Sequence, residues 1–348
     1  MTGLIRWLPL AIITGLPACY TRGLQAAEPR ALNGPATAQV YRYDPSGLSL
    51  LRPYSRGKVP VVLVHGLWSK PWSWHRMIET LEGEPAICER YQFWTFGYRT
   101  GASIGYSAHL LRRDLARARS MLDPDRRDDA LDRMIVVGHS MGGLLSRMLS
   151  VDPGDRLWRV VADRPFGEMI GERADVDLFR EGWIFGPTRE IRRLIFIATP
   201  HRGSRINTGS IHHVGTRIAR GPDPLRDAYD RLISRNPPAY FSDRFRAGLP
   251  TSVDELEWES PLLTALHDLP VAPSVSTHSI IAVRPDPLTV TRSDGLVTFE
   301  SASIAGARSE KVIVAGHLCQ DHPEVIGEVR RILLEDPARA GQAIAPDG

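Results

Sequence analysis

A chain of 348 residues with 43% hydrophobic and 24% charged residues has the make-up of an ordinary folded protein. It is long enough for one large core, or for a core domain with an inserted lid. The net charge is only +3 and the Lys and Arg residues are scattered, so the basic stripe that nucleic-acid binding requires is missing and that class is set aside.

Residues 1–19, MTGLIRWLPLAIITGLPAC, carry one positive charge at Arg6, an apolar stretch from Trp7 to Leu16 and small residues before Cys19. The stretch is too short to span a bilayer as a helix and reads as an export signal. Leu16-Pro17-Ala18-Cys19 is also similar to a bacterial lipoprotein box, with Pro17 in place of the usual small residue. The expected location is therefore the cell envelope, either anchored through a lipidated Cys19 or as a plain exported protein. Residues 20–57, broken by Gly34, Pro35, Pro45, Gly47 and Pro53, read as an irregular tether.

From residue 58 to about 340 strands and helices alternate. KVPVVLVHG is a continuous β-branched run ending in glycine, the pattern of a strand buried on both faces. YQFWTFGY is a second strand, and SIGYSAHLLRRDLARARSML has apolar residues at helical spacing (Leu110, Leu111, Leu115, Met121) with arginines opposite. DRMIVVGH is a third strand, followed by a helix over MGGLLSRMLS; IRRLIFIATP, HSIIAVRP and SEKVIVAGH are three more strands. PEVIGEVRRILLE closes the domain as an amphipathic helix that begins at Pro323. Two stretches, 151–190 and 203–277, lack a strand period; loops that long are functional or carry helices of their own, and both are candidates for a lid.

Such alternation implies an α/β protein with a mostly parallel sheet covered on both faces, whose ligands bind outside the carboxyl ends of the strands. His65-Gly66, His139-Ser140, Thr199-Pro200-His201 and Gly316-His317 all stand at such ends. Cys88 precedes a strand and Cys319 follows one, which puts them at opposite ends of the sheet. A disulfide needs Cα atoms within about 7 Å, so the two are expected not to be bonded to each other.

Gly138-His139-Ser140-Met141-Gly142 fits G-x-S-x-G, a turn between strand and helix that lifts a serine hydroxyl above a sheet. A serine hydroxyl is a weak nucleophile and needs an imidazole to take its proton, itself oriented by a carboxylate. Asp294, in TRSDGLVTFESA, and His317, at the tip of the last strand, follow in that order. The oxyanion formed on attack needs two N–H donors; Met141 follows the serine and Leu67 follows His65-Gly66.

VVLVHGLW, VVGHSMGG, FIATPHRGS, SDGLVTFESA and VIVAGH together resemble, in the same order over residues 58 to about 335, the lipase and esterase branch of the α/β-hydrolase superfamily. The resemblance implies an α/β-hydrolase fold, hydrolysis of carboxylic esters and no cofactor. It assigns the nucleophile to Ser140, the acid to Asp294, the base to His317 and the oxyanion donors to Leu67 and Met141. GHSMGG alone also occurs in acyltransferases, thioesterases and peroxidases, so acyl transfer is an alternative, and a non-catalytic envelope binding protein on the same fold is another.

Rival assignments exist. His322 stands five residues after His317, at the head of the closing helix, where a polar residue caps the end. Asp286, in Pro-Asp-Pro, lies nearer its strand than Asp294. His65, His139 and His201 are expected to bond backbone and hold loops. The pair His212-His213 has no acidic or thiol companion, so a metal site is not expected. Trp68, Trp72 and Trp74 crowd the segment after the oxyanion loop, where indoles either pack or line the mouth of the site.

Overall fold

In the computed structural model the described residues are 46–204, 224–285 and 292–335. The expected leader with Cys19, most of the expected tether, His212-His213 and Asp286 lie outside them.

Seven strands form one sheet: β1 (Gly47–Leu50), β2 (Val59–Val64), β3 (Tyr91–Gly97), β4 (Met134–His139), β5 (Ile191–Ile197), β6 (Ser276–Val283) and β7 (Ser309–Val314), in the order β1-β3-β2-β4-β5-β6-β7. All neighbours are parallel except β1, which runs antiparallel to β3 from Gly47 opposite Gly97 to Leu50 opposite Trp94. The six strands expected from the sequence are β2 to β7. Strand β1 corrects the reading of residues 20–57 as irregular. It is four residues long, between Gly47 and Pro53, too short for a period to register, yet Leu48 and Leu50 are buried.

Successive residues of a strand face opposite sides of a sheet, and here each side has its own core. Val62, Val64, Trp94, Phe96, Val136, Leu194 and Phe196 pack on one face, against α2 (Ile104–Leu122) and α3 (Met141–Arg147). Val61, Leu63, Phe93, Ile135, Val137, Ile195 and Ile197 pack on the other, against α1 (His75–Glu82) and α7 (Pro323–Leu334). Each such side chain contributes roughly 1.5–3 kcal/mol by leaving water, which explains why the central strands read as unbroken apolar runs. The outermost strand β7 differs: Ile313 is buried while Val312 and Val314 are exposed. On α2 the buried stripe is Ile104, Ala108, Leu111, Leu115 and Ala118, whereas Leu110 and Met121, counted in the expected apolar face, are half-buried.

The inserted segments are helical. The first carries a short turn, Trp158–Val161, and α4 (Arg173–Trp183). The second, where described, carries α5 (Pro224–Arg235), short turns at Asp243–Ala247 and Ser252–Glu255, and α6 (Pro261–His267). Phe179, Trp183, Tyr229, Leu232, Phe245, Leu263 and Leu266 join the same apolar cluster as α2 and α3. Arg231 clamps Asp175 with two bonds of 2.7 and 2.8 Å, tying α5 to α4. Cys319 is a buried free thiol, so Cys88 and Cys319 are not joined, as their places relative to the strands predict. Among the described residues no helix is long and apolar enough to cross a membrane.

Candidate active site

The turn at the end of β4 places Ser140 at φ 54°, ψ −126°. A non-glycine residue in that region costs on the order of 1–3 kcal/mol and persists only where neighbours hold it. Here the Ser140 N–H donates to the Ile197 carbonyl at 2.9 Å, and the Ser140 carbonyl accepts from the Gly143 N–H at 2.9 Å. The flanking glycines are required by space. A Cβ at Gly138 would lie 2.5 Å from Gly143 Cα, and one at Gly142 would lie 2.2 Å from the Val64 carbonyl oxygen. Gly143, not singled out from the sequence, is as constrained: a Cβ there would meet Thr199 Oγ1 at 1.9 Å.

His317, just past β7, brings Nε2 to 2.8 Å from Ser140 Oγ and Nδ1 to 2.7 Å from Asp294 Oδ2. Asp294 reaches this point from the turn after β6. Its other oxygen, Oδ1, accepts the Leu296 and Val297 N–H groups at 2.8 and 2.7 Å, which fixes the carboxylate plane. Its side chain is 1% exposed and that of His317 10%, so water competes little for the pair. Sequence order left more than 150 residues between Ser140 and the other two; the parallel sheet closes that distance because all three sit at carboxyl ends of strands. His322 is elsewhere occupied: it caps α7, with Nδ1 accepting the Glu324 N–H at 3.3 Å.

Leu67 and Met141 both border the serine. A Cβ on Gly66 would lie 2.9 Å from Ser140 Cβ, so the loop that carries Leu67 runs against the serine turn, and Met141 opens α3 directly after it. Neither Leu67 N–H nor Met141 N–H meets an acceptor among the described residues. The first N–H groups of a helix have no partner within it and face outward.

The rings of His139 and His65 bond backbone, as expected, whereas the His201 ring meets the Arg147 guanidinium at 3.4 Å. His139 Nε2 donates to the His317 carbonyl at 2.8 Å, and burial, with His317 adding, pushes its imidazole down to about 3, so it stays neutral. His65 Nδ1 donates to the Gly66 carbonyl at 3.0 Å; burial pushes this ring down to about 4. Tyr98 stacks on His65 at 4.6 Å and donates its hydroxyl to the His65 carbonyl at 2.7 Å. His201 is fully buried, edge-on to Phe196, and its backbone N–H donates to the Ser301 carbonyl at 2.8 Å. The three indoles divide: Trp74 is core, while Trp68 and Trp72 are 45% and 66% exposed. Leu318, next to His317, and Leu296, two residues from Asp294, are also exposed.

Sequence reasoning missed Arg147. Its guanidinium, buried at the end of α3, donates to the His267 and Leu269 carbonyls at 2.9 and 3.4 Å, at the carboxyl end of α6 where a helix dipole is negative. Burial lowers it to about 10, which leaves it charged at neutral pH. A lone charge in the otherwise uncharged MGGLLSRML was the available signal. Among the described residues no three His, Cys, Asp or Glu side chains come together to hold a metal ion. A cavity of about 250 Å³ between β1, β3 and α2 is lined by Leu48, Phe96, Tyr98 and Arg113 among others, none of them a residue of this site.

Residues 61–329 match the model of the alpha/beta hydrolase family. Compared by sequence with curated proteins, the chain finds no significant match. Among solved structures it is similar to the mature form of the lipase BlEst2 from Bacillus licheniformis, at 15% identity and a TM-score of 0.46, covering 82% of this chain and 96% of the other. It is also similar to EstA from Clostridium botulinum (13% identity, TM-score 0.46, 81% and 88% covered). Aspergillus fumigatus lipase B is a third (12% identity, TM-score 0.46, 84% and 58% covered).

Proposed function

Given that this chain belongs to the alpha/beta hydrolase family, we propose that it hydrolyses carboxylic esters through a covalent acyl-enzyme, with Ser140 as nucleophile. The observation that carries this reading is the continuous chain from Ser140 Oγ through His317 to Asp294, at 2.8 and 2.7 Å. His317 Nε2 takes the serine proton as Oγ attacks the ester carbonyl carbon. Asp294 accepts from Nδ1–H, which keeps Nε2 free as the base and stabilises the imidazolium that forms. The oxyanion is received by the Leu67 and Met141 N–H groups, which are already oriented and so cost no reorganisation during the reaction. Collapse of the tetrahedral intermediate breaks the bond to the alkoxy group, which leaves as alcohol with the proton from Nε2. Water, deprotonated by His317, then attacks the acyl carbon; the bond to Ser140 Oγ breaks, Nε2 returns the proton to Oγ, and the acid is released. Exposed Trp68, Trp72, Leu296 and Leu318 give the neighbourhood an apolar rim, which supports an ester with a hydrocarbon portion. The export signal expected in residues 1–19 supports a place for this activity in the cell envelope, with a secreted or soluble periplasmic protein as the alternative.

The test is a short-chain nitrophenyl ester assay combined with fluorophosphonate labelling of wild type and Ser140→Ala. Turnover and labelling are expected in the wild type, with the label mapped to Ser140 and both lost in the variant. Wild-type turnover by Ser140→Ala rejects the reading.

A further inference from the structure

The segment that carries Leu67 is pinned plane by plane. The Gly66 carbonyl, whose peptide contains the Leu67 N–H, accepts from His65 Nδ1 at 3.0 Å and from the Ser69 N–H at 3.2 Å. The next peptide, between Leu67 and Trp68, is held from outside the loop. Trp68 lies at φ 57°, a conformation costly for a bulky residue, and its N–H donates to Thr100 Oγ1 at 3.4 Å.

Thr100 is buried in the connection between β3 and α2, and an inserted segment grips that connection at both ends. The Thr100 carbonyl accepts the hydroxyl of buried Ser252. Three residues on, at the close of the turn Ser252–Glu255, the Glu255 carboxyl accepts the Ser103 hydroxyl at 3.1 Å and the Ile104 N–H at 2.6 Å. Thr251 and Asp254 cap the turn reciprocally, so it is rigid in itself.

We propose that Thr100 is a positioning residue for the oxyanion donor at Leu67, and that the turn 252–255 sets Thr100, so that the inserted segment shapes the reaction centre as well as covering the core. The inference rests on the serine-hydrolase reading above. With the peptides on both sides of Leu67 fixed, its N–H is aimed; releasing one of them lets the donor swing while the serine, histidine and aspartate stay in place.

The test compares Thr100→Val, Thr100→Ser, Ser252→Ala and Ser140→Ala on one nitrophenyl ester, with Tm measured for each. Valine keeps the shape and removes the acceptor; serine keeps the acceptor and removes a methyl group. Deleting an oxyanion donor costs about 10²–10³ in kcat, so misaiming one is expected to cost about tenfold in Thr100→Val, with KM within about twofold. Thr100→Ser is expected to melt lower than wild type yet keep kcat within about twofold, and Ser252→Ala to lose about threefold in kcat. Wild-type kcat in Thr100→Val beside an inactive Ser140→Ala overturns the positioning role alone. Activity that simply follows Tm across the threonine variants overturns it as well. If Thr100→Val fails to fold, an unchanged kcat in Ser252→Ala does the same. An active Ser140→Ala overturns the hydrolase reading and this inference together.

Discussion

Replacing Glu255 with glutamine asks whether a buried carboxyl at the head of α2 makes stability fall as pH rises. Glu255 is 3% exposed. Burial pushes its carboxyl up from 4.5 to about 8, outweighing the Ile104 N–H, the Ser103 hydroxyl and Arg244, which favour the charged form; Asp254 adds to the rise. Because the folded value lies above the unfolded one, the native state binds the extra proton between these limits. The stabilisation is therefore fully present below about pH 4.5 and is lost as pH rises to about 8. One proton changes stability by about 1.4 kcal/mol per pH unit, so the interval holds at most about 5 kcal/mol. His65, His139 and His278, held low by burial, tilt the wild-type curve the opposite way below their ordinary value, so only a difference between proteins isolates Glu255. The assay is urea unfolding of wild type and Glu255→Gln at about pH 5, 6.5 and 8, followed by tryptophan fluorescence. The stability of wild type relative to the variant is expected to fall steadily across this range. A constant difference at all three pH values refutes the reasoning.

Three further outcomes follow from the geometry. Asp294→Asn is expected to lower kcat by roughly 10⁴ with little change in KM, since the amide cannot hold His317 in the required tautomer; a loss below about tenfold in steady-state kinetics contradicts the role of Asp294. Gly142→Ala drives a Cβ to 2.2 Å from the Val64 carbonyl oxygen and 2.5 Å from that of His65. Backbone cannot step aside as a side chain can, so about 3 kcal/mol of stability and most of the activity should go; a wild-type melting curve and turnover dispose of that argument. The Cys319 thiol, pushed up to about 12 by burial, is expected to resist a thiol reagent at neutral pH until denaturant is added. Rapid labelling of the folded protein shows the burial to be wrong.

The central strands were legible because burial on both faces leaves a local mark, an apolar β-branched run such as VVLV or MIVV, whatever lies far away. The serine turn was legible for a related reason: Gly138 and Gly142 are demanded by atoms within a few residues or on the adjacent strand. Strand β1 was not, since four residues owe their form to pairing with β3 and not to their own pattern. The inserted helices were read only as an absence of strand period, because their apolar faces are shared between two segments far apart in the chain. Order along the chain named Ser140, Asp294 and His317, but what brings them to 2.8 and 2.7 Å is the register of β4, β6 and β7 in one parallel sheet. Arg147, Thr100 and Glu255 owe their places wholly to the tertiary structure. Each side chain meets its partners at helix ends or loop backbone groups more than 30 residues away, and a polar side chain carries no trace in sequence of a partner supplied by the fold. The sequence by itself determined which chemistry the strand ends offer, because propensity and steric need act locally; only the tertiary structure decided which loops aim it, because hydrogen bonds between distant segments exist once the core has closed.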